Sequence, residues 1–318
     1  MKKDTEKDME NSVDLMEELI EKRKTNYILR ATADGGNVRI LIADTRGLVS
    51  EAARIHGTSP LATVALGRSL TAVAMMGQMM KGDKDTISLR FDGDGPIGGI
   101  TVVSDAASNV RGFVNHPLTD LPLKENGHYD VGGAVGQGIM YVIKDLHLKE
   151  PYVGQSEIIS GEIGVDLTYY FANSEQTPSA VAVGVLTTPE GEVLFAGGYI
   201  IQLMPGASDQ IINYIENTID HIPSVTQMMA SGETIETILD IIFGEKDLNI
   251  LENVSCDYKC TCSRDRMERG LISLGTAELE DMIEDVKADG RPIECHCHFC
   301  NKNYHFDEKD LRKLLAEN

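Results

Sequence analysis

Apolar positions along this chain change their period more than once, and each change marks an element boundary. Residues 1–24 alternate charge with a sparse series, Met9, Val13, Met16, Leu19 and Ile20, at helical spacing, which reads as an appended amphipathic helix or a frayed tail. Past Asn26 the spacing shortens. Residues 27–31 and 38–43 are apolar runs joined by Asp34-Gly35-Gly36, a β-hairpin signature. Residues 60–80 then form an Ala/Leu/Met helix stopped by Lys81-Gly82-Asp83. Short strands between turn signals are expected at 86–91, 100–103, 138–143, 156–159 and 181–186, with a short helix closing at Tyr169-Tyr170-Phe171. A strand over 199–204 ends at Pro205-Gly206, taken as the end of a core domain.

The period then turns helical. Ser208 is an N-cap for a helix carrying Ile211, Ile212, Ile215 and Ile219, Pro223 opens a second element, and 234–243 is a third stripe ending at Gly244. Short helices take their stability from packing against a neighbour. Residues 208–254 therefore read as a conditional linker, with a static helical connector as the plain alternative. Helical patterns return at 264–286, through Leu271, Ile272, Leu274, Leu279, Met282 and Ile283, and at 307–315. The expected fold is α+β: a 1–24 extension, a β-rich core with helices over 25–207, the helical linker 208–254, and a small C-terminal domain over 255–318.

Composition narrows the function. The 318 residues carry a formal charge of −21 and no Trp. Such a surface repels phosphate backbones and offers little aromatic stacking, so nucleic acid is not an expected partner. No apolar run reaches the roughly 18 residues of a spanning helix, and the charged N-terminus lacks the apolar stretch of a signal peptide, so no membrane partner and a cytoplasmic location are expected. Gly93-Asp94-Gly95-Pro96-Ile97-Gly98 matches a dinucleotide fingerprint on paper. With Pro96 inside it and a strand after it, it reads as a hairpin turn. His56, His116, His128, His147 and His221 sit in no catalytic frame, and neither a nucleophile elbow nor a P-loop occurs. No enzyme is indicated.

The C-terminus holds the chemistry. All six cysteines, Cys256, Cys260, Cys262, Cys295, Cys297 and Cys300, fall within the last 63 residues of the sequence. In a reducing compartment clustered thiols are metal ligands or redox sensors before they are structural disulfides. Two clusters separated by a helical segment suit a tetrahedral four-sulfur zinc site, one ion per chain. Spacing alone leaves Cys256 and Cys295 open as ligands, because Cys295-His296-Cys297 repeats the form of Cys260-Thr261-Cys262. A C-x-C pair can share a metal or, once oxidised, form a strained and labile bridge.

Cys260-Thr261-Cys262-Ser263-Arg264-Asp265-Arg266 followed by Cys297-His298-Phe299-Cys300-Asn301-Lys302-Asn303-Tyr304 resembles the paired motifs of the thirty-three-kilodalton heat-shock protein family of redox-regulated chaperones. Upstream blocks similar to that family follow in the same order: His56-Gly57-Thr58-Ser59-Pro60, Ala65-Leu66-Gly67-Arg68, the glycine-rich turn at 93–98, Ser174-Glu175-Gln176, and Gly197-Gly198-Tyr199 through Pro205. The resemblance runs from about Asn26 to Leu315. It implies a holdase that works without ATP, with zinc on Cys260, Cys262, Cys297 and Cys300, switched on when Cys260–Cys262 and Cys297–Cys300 become disulfides and zinc leaves. Unfolding client proteins are the implied partners, with a homodimer of the oxidised form a further expectation. Cys256 and Cys295 then become spare thiols, exposed or half-buried beside the site. The competing reading is a constitutive zinc-ribbon adaptor whose metal is purely structural; a thiol oxidoreductase is a third.

Overall fold

The structure is a computed structural model that describes residues 26–317, without the Glu317 side chain, so the 1–24 extension lies outside the described residues. The chain divides into two compact units, the first ending at Tyr258 and the second starting at Lys259. The fold is α+β.

The first unit starts with the hairpin. Strands β1 (Tyr27–Ala33) and β2 (Val38–Asp44) pair antiparallel around Asp34-Gly35-Gly36. Gly35 and Gly36 have φ of 61° and 94°, a region that glycine enters without a Cβ penalty. Helix α1 (Arg46–His56) leads to α2 (Pro60–Gly77), which opens with Ser59 accepting from the Ala62 N–H and Pro60 in the first turn. Every residue of α2 except Pro60 and Arg68 is buried. Its length and apolarity would suit a membrane crossing, contrary to the expectation that no such run exists; it is instead the core helix. It packs against strands of both large sheets.

One sheet has the order β10 (Asn249–Ser255), β1, β2, β9 (Val193–Leu203), β8 (Ser179–Thr187), the other β11 (Asp257–Tyr258), β5 (Asn109–Val114), β4 (Ile100–Asp105), β3 (Thr86–Gly93), β6 (Gly138–Asp145), β7 (Tyr152–Glu157). Strands β3 (Thr86–Gly93), β4 (Ile100–Asp105), β5 (Asn109–Val114), β6 (Gly138–Asp145) and β7 (Tyr152–Glu157) build most of the second sheet, with the short helix α3 (Val131–Val135) between β5 and β6. Strands β3 and β4 are antiparallel, so the glycine-rich run is a hairpin connection, as its Pro96 suggested. A Cβ on Gly93 would lie 2.0 Å from the Val135 carbonyl oxygen, which is why glycine stands there. Strand β7 starts four residues before the expected 156–159 run and stops short of Ile158. Helix α4 (Gly164–Asn173) contains the expected Tyr169-Tyr170-Phe171. Strands β8 (Ser179–Thr187) and β9 (Val193–Leu203) complete the first sheet's long pairs.

The outer face of that first sheet is covered by α5 (Asp209–His221), α6 (Val225–Ala230) and α7 (Ile235–Phe243). Ser208, Ser224 and Thr234 cap them by accepting from the third helical N–H. Ile211, Ile215, Ile235, Ile238 and Ile242 bury against Ile40, Ile42, Tyr199 and Ile201 of the sheet. The chain then returns as β10 (Asn249–Ser255), an edge strand on β1 that hydrophobic pattern did not announce, followed by the two-residue β11 (Asp257–Tyr258).

The second unit is small. Helices α8 (Arg264–Ile272) and α9 (Thr276–Asp289) replace the single helical stretch expected over 264–286, because Gly275 breaks it with φ 96°. A hairpin of β12 (Ile293–His296) and β13 (Asn303–Phe306) and the helix α10 (Glu308–Glu317) follow.

Candidate metal centre

Cys260 and Cys262 precede α8 on an irregular segment. Ser263 then caps the helix by accepting from the Arg266 N–H at 3.2 Å. A C-x-C pair placed directly before an N-cap is held at a fixed angle to the helix it introduces. Cys297 and Cys300 lie in the turn of the β12–β13 hairpin. There the Cys297 carbonyl accepts from the Cys300 N–H at 3.2 Å and the Asn301 N–H at 2.8 Å, while Lys302 O accepts from the Cys297 N–H at 3.0 Å. Asn301 takes φ 56°, the left-handed conformation that Asn tolerates best after glycine. The hairpin motif is thus set by local backbone bonding and the C-x-C motif adjoins the Ser263 cap, and tertiary packing brings the two together.

It does so closely. The four Sγ atoms lie within 4.8 Å of one another, with Cys260 to Cys297 at 3.7 Å and Cys262 to Cys300 at 3.4 Å. Zinc–sulfur bonds of about 2.3 Å in a tetrahedron imply sulfur–sulfur edges of about 3.8 Å, so the donor set and its spacing fit such an ion. These four residues can hold a metal ion.

Two residues that carried no assigned role in the sequence brace the site. The Arg264 guanidinium lies 4.4 Å from the Phe306 ring centre, 2.7 Å from the Asp310 carboxylate, 3.2 Å from Glu268 and 2.9 Å from His305 O. It therefore ties α8 to β13 and α10. The Tyr304 hydroxyl donates to Cys262 Sγ at 3.1 Å. Burial works against charge on Cys262, but the hydrogen bonds from Tyr304 and the other three thiols outweigh it and bring this thiol down to about 7. Burial pushes Cys260 and Cys300 up. Tyr304 is pushed up to about 12, chiefly because its proton is held by the Cys262 sulfur. Arg264 and Tyr304 both stand in the quoted motifs and Ser263 is a readable cap; what the sequence does not show is the contact of Tyr304 with Cys262, which depends on hairpin register.

The other two cysteines part company. Cys295 is half-buried on β12, opposite Tyr304 and packed against the second unit's core. Cys256 corrects the expectation of an exposed or half-buried thiol beside the site: it is 1% exposed, packed into the first unit's core, with its N–H bonded to Asn26 O at 2.8 Å. His56, His116, His147 and His221 make structural hydrogen bonds to Tyr258 or to backbone carbonyls.

An α+β unit followed by a small unit built around four converging thiols defines a two-part, metal-competent protein. The sequence model of the family described as Hsp33 protein matches residues 26–307. A 33 kDa chaperonin of Acetivibrio thermocellus is 52% identical over 290 residues, 91% of this chain and 97% of that relative. The 33 kDa chaperonin of Ruminiclostridium cellulolyticum is 48% identical over 293 residues, 92% and 99% of the two chains. The crystal structure of the heat shock protein 33 homolog of Thermotoga maritima superposes with a TM-score of 0.84 at 38% identity, covering 92% of this chain and 99% of that one. The chain belongs to the Hsp33 family of chaperones.

Proposed function

We propose that this chaperone is an ATP-independent holdase, not an enzyme, that is inactive when its thiols are reduced and zinc-bound and active once they are oxidised. The observation that carries the reading is the convergence of Cys260, Cys262, Cys297 and Cys300 within 4.8 Å in a unit with nine buried core side chains among its described residues. Zinc, when bound, keeps the four sulfurs as thiolates and contributes folding free energy on the order of 10 kcal/mol.

Thiolates are the form that oxidants attack. Cys297 and Cys300 give up two electrons and form one S–S bond, and Cys260 and Cys262 do the same. With hydrogen peroxide as oxidant, each pair reduces one peroxide, with two protons, to two waters. Each motif is then closed on itself, and no metal joins the segment before α8 to the hairpin turn. The nine side chains cannot hold the second unit, which starts at Lys259, alone. Its loss withdraws order from the adjoining 208–254 linker, whose Ile211, Ile215, Ile219, Ile235, Ile238 and Ile242 become a surface for unfolding clients, while the 25–207 core stays folded. A cytoplasmic location suits such a switch, since resting thiols are reduced there, and the oxidised form is expected to dimerise.

The test is peroxide treatment of reduced, zinc-loaded protein, following zinc with a chromophoric chelator and aggregation of a heat-unfolding client by light scattering. Zinc release together with onset of aggregation suppression supports the switch. Zinc that resists peroxide supports a constitutive structural adaptor, and rapid insulin reduction supports an oxidoreductase.

A further inference from the structure

Strand β10 pairs along the free edge of β1 although its side chains bury little. Of its seven residues only Val254 is half-buried, and Ile250 and Leu251 are 45% and 56% exposed. The strand is therefore held mainly by its backbone ladder, from Tyr27↔Ser255 to Thr32↔Asn249, and by the exposed Arg30–Glu252 pair at 2.9 Å. That ladder is irregular. Arg30 faces Glu252 and Ala31 faces Ile250, which leaves Leu251 unpaired as a bulge. Bulges re-aim a side chain out of the regular alternation. Leu251 lines a cavity of about 310 Å³ that also takes in Met79, Met80 and Met204, with Lys81 and Arg39 along it. Flexible thioethers adapt to many apolar shapes, and methionine-rich surfaces are typical of promiscuous binders.

We propose that the β1 edge and the methionine cavity form a docking site for extended apolar segments of unfolding proteins, and that β10 occupies it as a built-in substitute client. The mode is strand addition: ladder bonds to β1 supply sequence-independent affinity, and the cavity takes one apolar side chain. Arg30 favours an acidic residue just after that anchor, as Glu252 follows Leu251. Strand β1 is mostly buried, pairs fully with β2 on its other side and belongs to the first unit's cores, so it remains a rigid template when β10 leaves. Chain connectivity supplies the trigger, since β10 ends one residue before Cys256 and five before Cys260. This assignment rests on the redox-switch reading and adds where on the molecule a client strand sits.

The experiment uses the full-length chain carrying the photo-crosslinker p-benzoylphenylalanine at position 80, with heat-unfolding citrate synthase as the probe. After peroxide treatment the client should be crosslinked from position 80, whereas in the reduced protein the crosslink should fall within 249–255. The free peptide Asn-Ile-Leu-Glu-Asn-Val-Ser in excess should lower the client crosslink roughly tenfold, and the same peptide with Leu251→Ser should not, an anchor's removal being worth about that factor. Leu251→Asp in the reduced full-length chain should raise client crosslinking without oxidant. Client held in a soluble complex with no label from position 80 would overturn the docking site and leave the switch intact. No client held after oxidation, with zinc retained, would overturn the switch and the site together.

Discussion

The two units are stabilised in different ways. The first is organised around α2, whose buried residues pack against two sheets, so apolar burial alone accounts for its order. The second has nine buried core side chains among its described residues, one of them Cys297, and Cys260, Cys262 and Cys300 line the same cluster. Its sulfurs are therefore core and ligand set at once. The contrast teaches that losing the donors at sulfur should cost the second unit far more of its order than it costs α2 and the inner strands of the first.

The largest expected effect breaks the second unit alone. Cys300→Ser removes one of the four donors, so the zinc content of the reduced protein should fall well below one per chain. Amide exchange should then lose protection through α8, α9 and α10 while β2 and α2 keep theirs. Equal loss of protection in both units would refute the division of labour.

The helices on the outer face of the first sheet are the intermediate case. Ile238 is fully buried against that sheet, and Ile238→Ala should cost about 2–5 kcal/mol by transfer and cavity formation. If α5 to α7 are the conditional layer, the reduced, zinc-loaded variant should suppress client aggregation without oxidant and keep a zinc content of one. If they are a static layer, chemical denaturation should show only a lower midpoint for the first unit, with no gain of chaperone activity.

A smaller effect concerns the bracing of the metal centre. Arg264→Ala removes contacts to α10, β13 and the Phe306 ring without touching a sulfur. Competition with a chelator should show zinc affinity weaker by roughly tenfold, the usual consequence of losing a group that orients ligands. Arg264→Lys should recover little of it, because an ammonium cannot stack on the ring and bridge two elements at once.

Legibility in the sequence followed the same divide. The cysteine cluster was readable because its chemistry is rare and its spacing short, but the choice of Cys260, Cys262, Cys297 and Cys300 among the six rested on the family resemblance. The Ser208 end was readable because a cap needs one residue type at one place. Strand β10 was not, since its burial does not alternate and its reason for being a strand is the vacant edge of β1, some 220 positions earlier. Nor was the break at Gly275 inside an otherwise continuous apolar period, nor the depth of Cys256, which depends on where the chain re-enters the first unit. Local chemistry shows in sequence, and long-range vacancies do not.

The smallest effect comes from making one atomic change in both units. Cys295→Ser alters a half-buried thiol that pairs across a hairpin, and zinc content and unfolding midpoint should both stay put. Cys256→Ser should also leave zinc at one per chain, but it places a hydroxyl in an apolar core and should cost the first unit about 1 kcal/mol. The two differ in pH dependence as well. Burial, with the Asp257 and Asp44 carboxylates adding to it, pushes the Cys256 thiol far above its ordinary range. The folded unit thus keeps the proton that the unfolded chain releases near pH 8.5, so this contribution to stability is complete below that pH and is lost as pH rises beyond it. Denaturation midpoints between pH 7 and 10 should fall more steeply for the parent than for Cys256→Ser, with iodoacetamide labelling of Cys256 absent until the first unit unfolds. Matching slopes, or labelling of Cys256 in the folded protein, would show that the thiol is open to solvent and that the first unit is not sealed against the chemistry of the second.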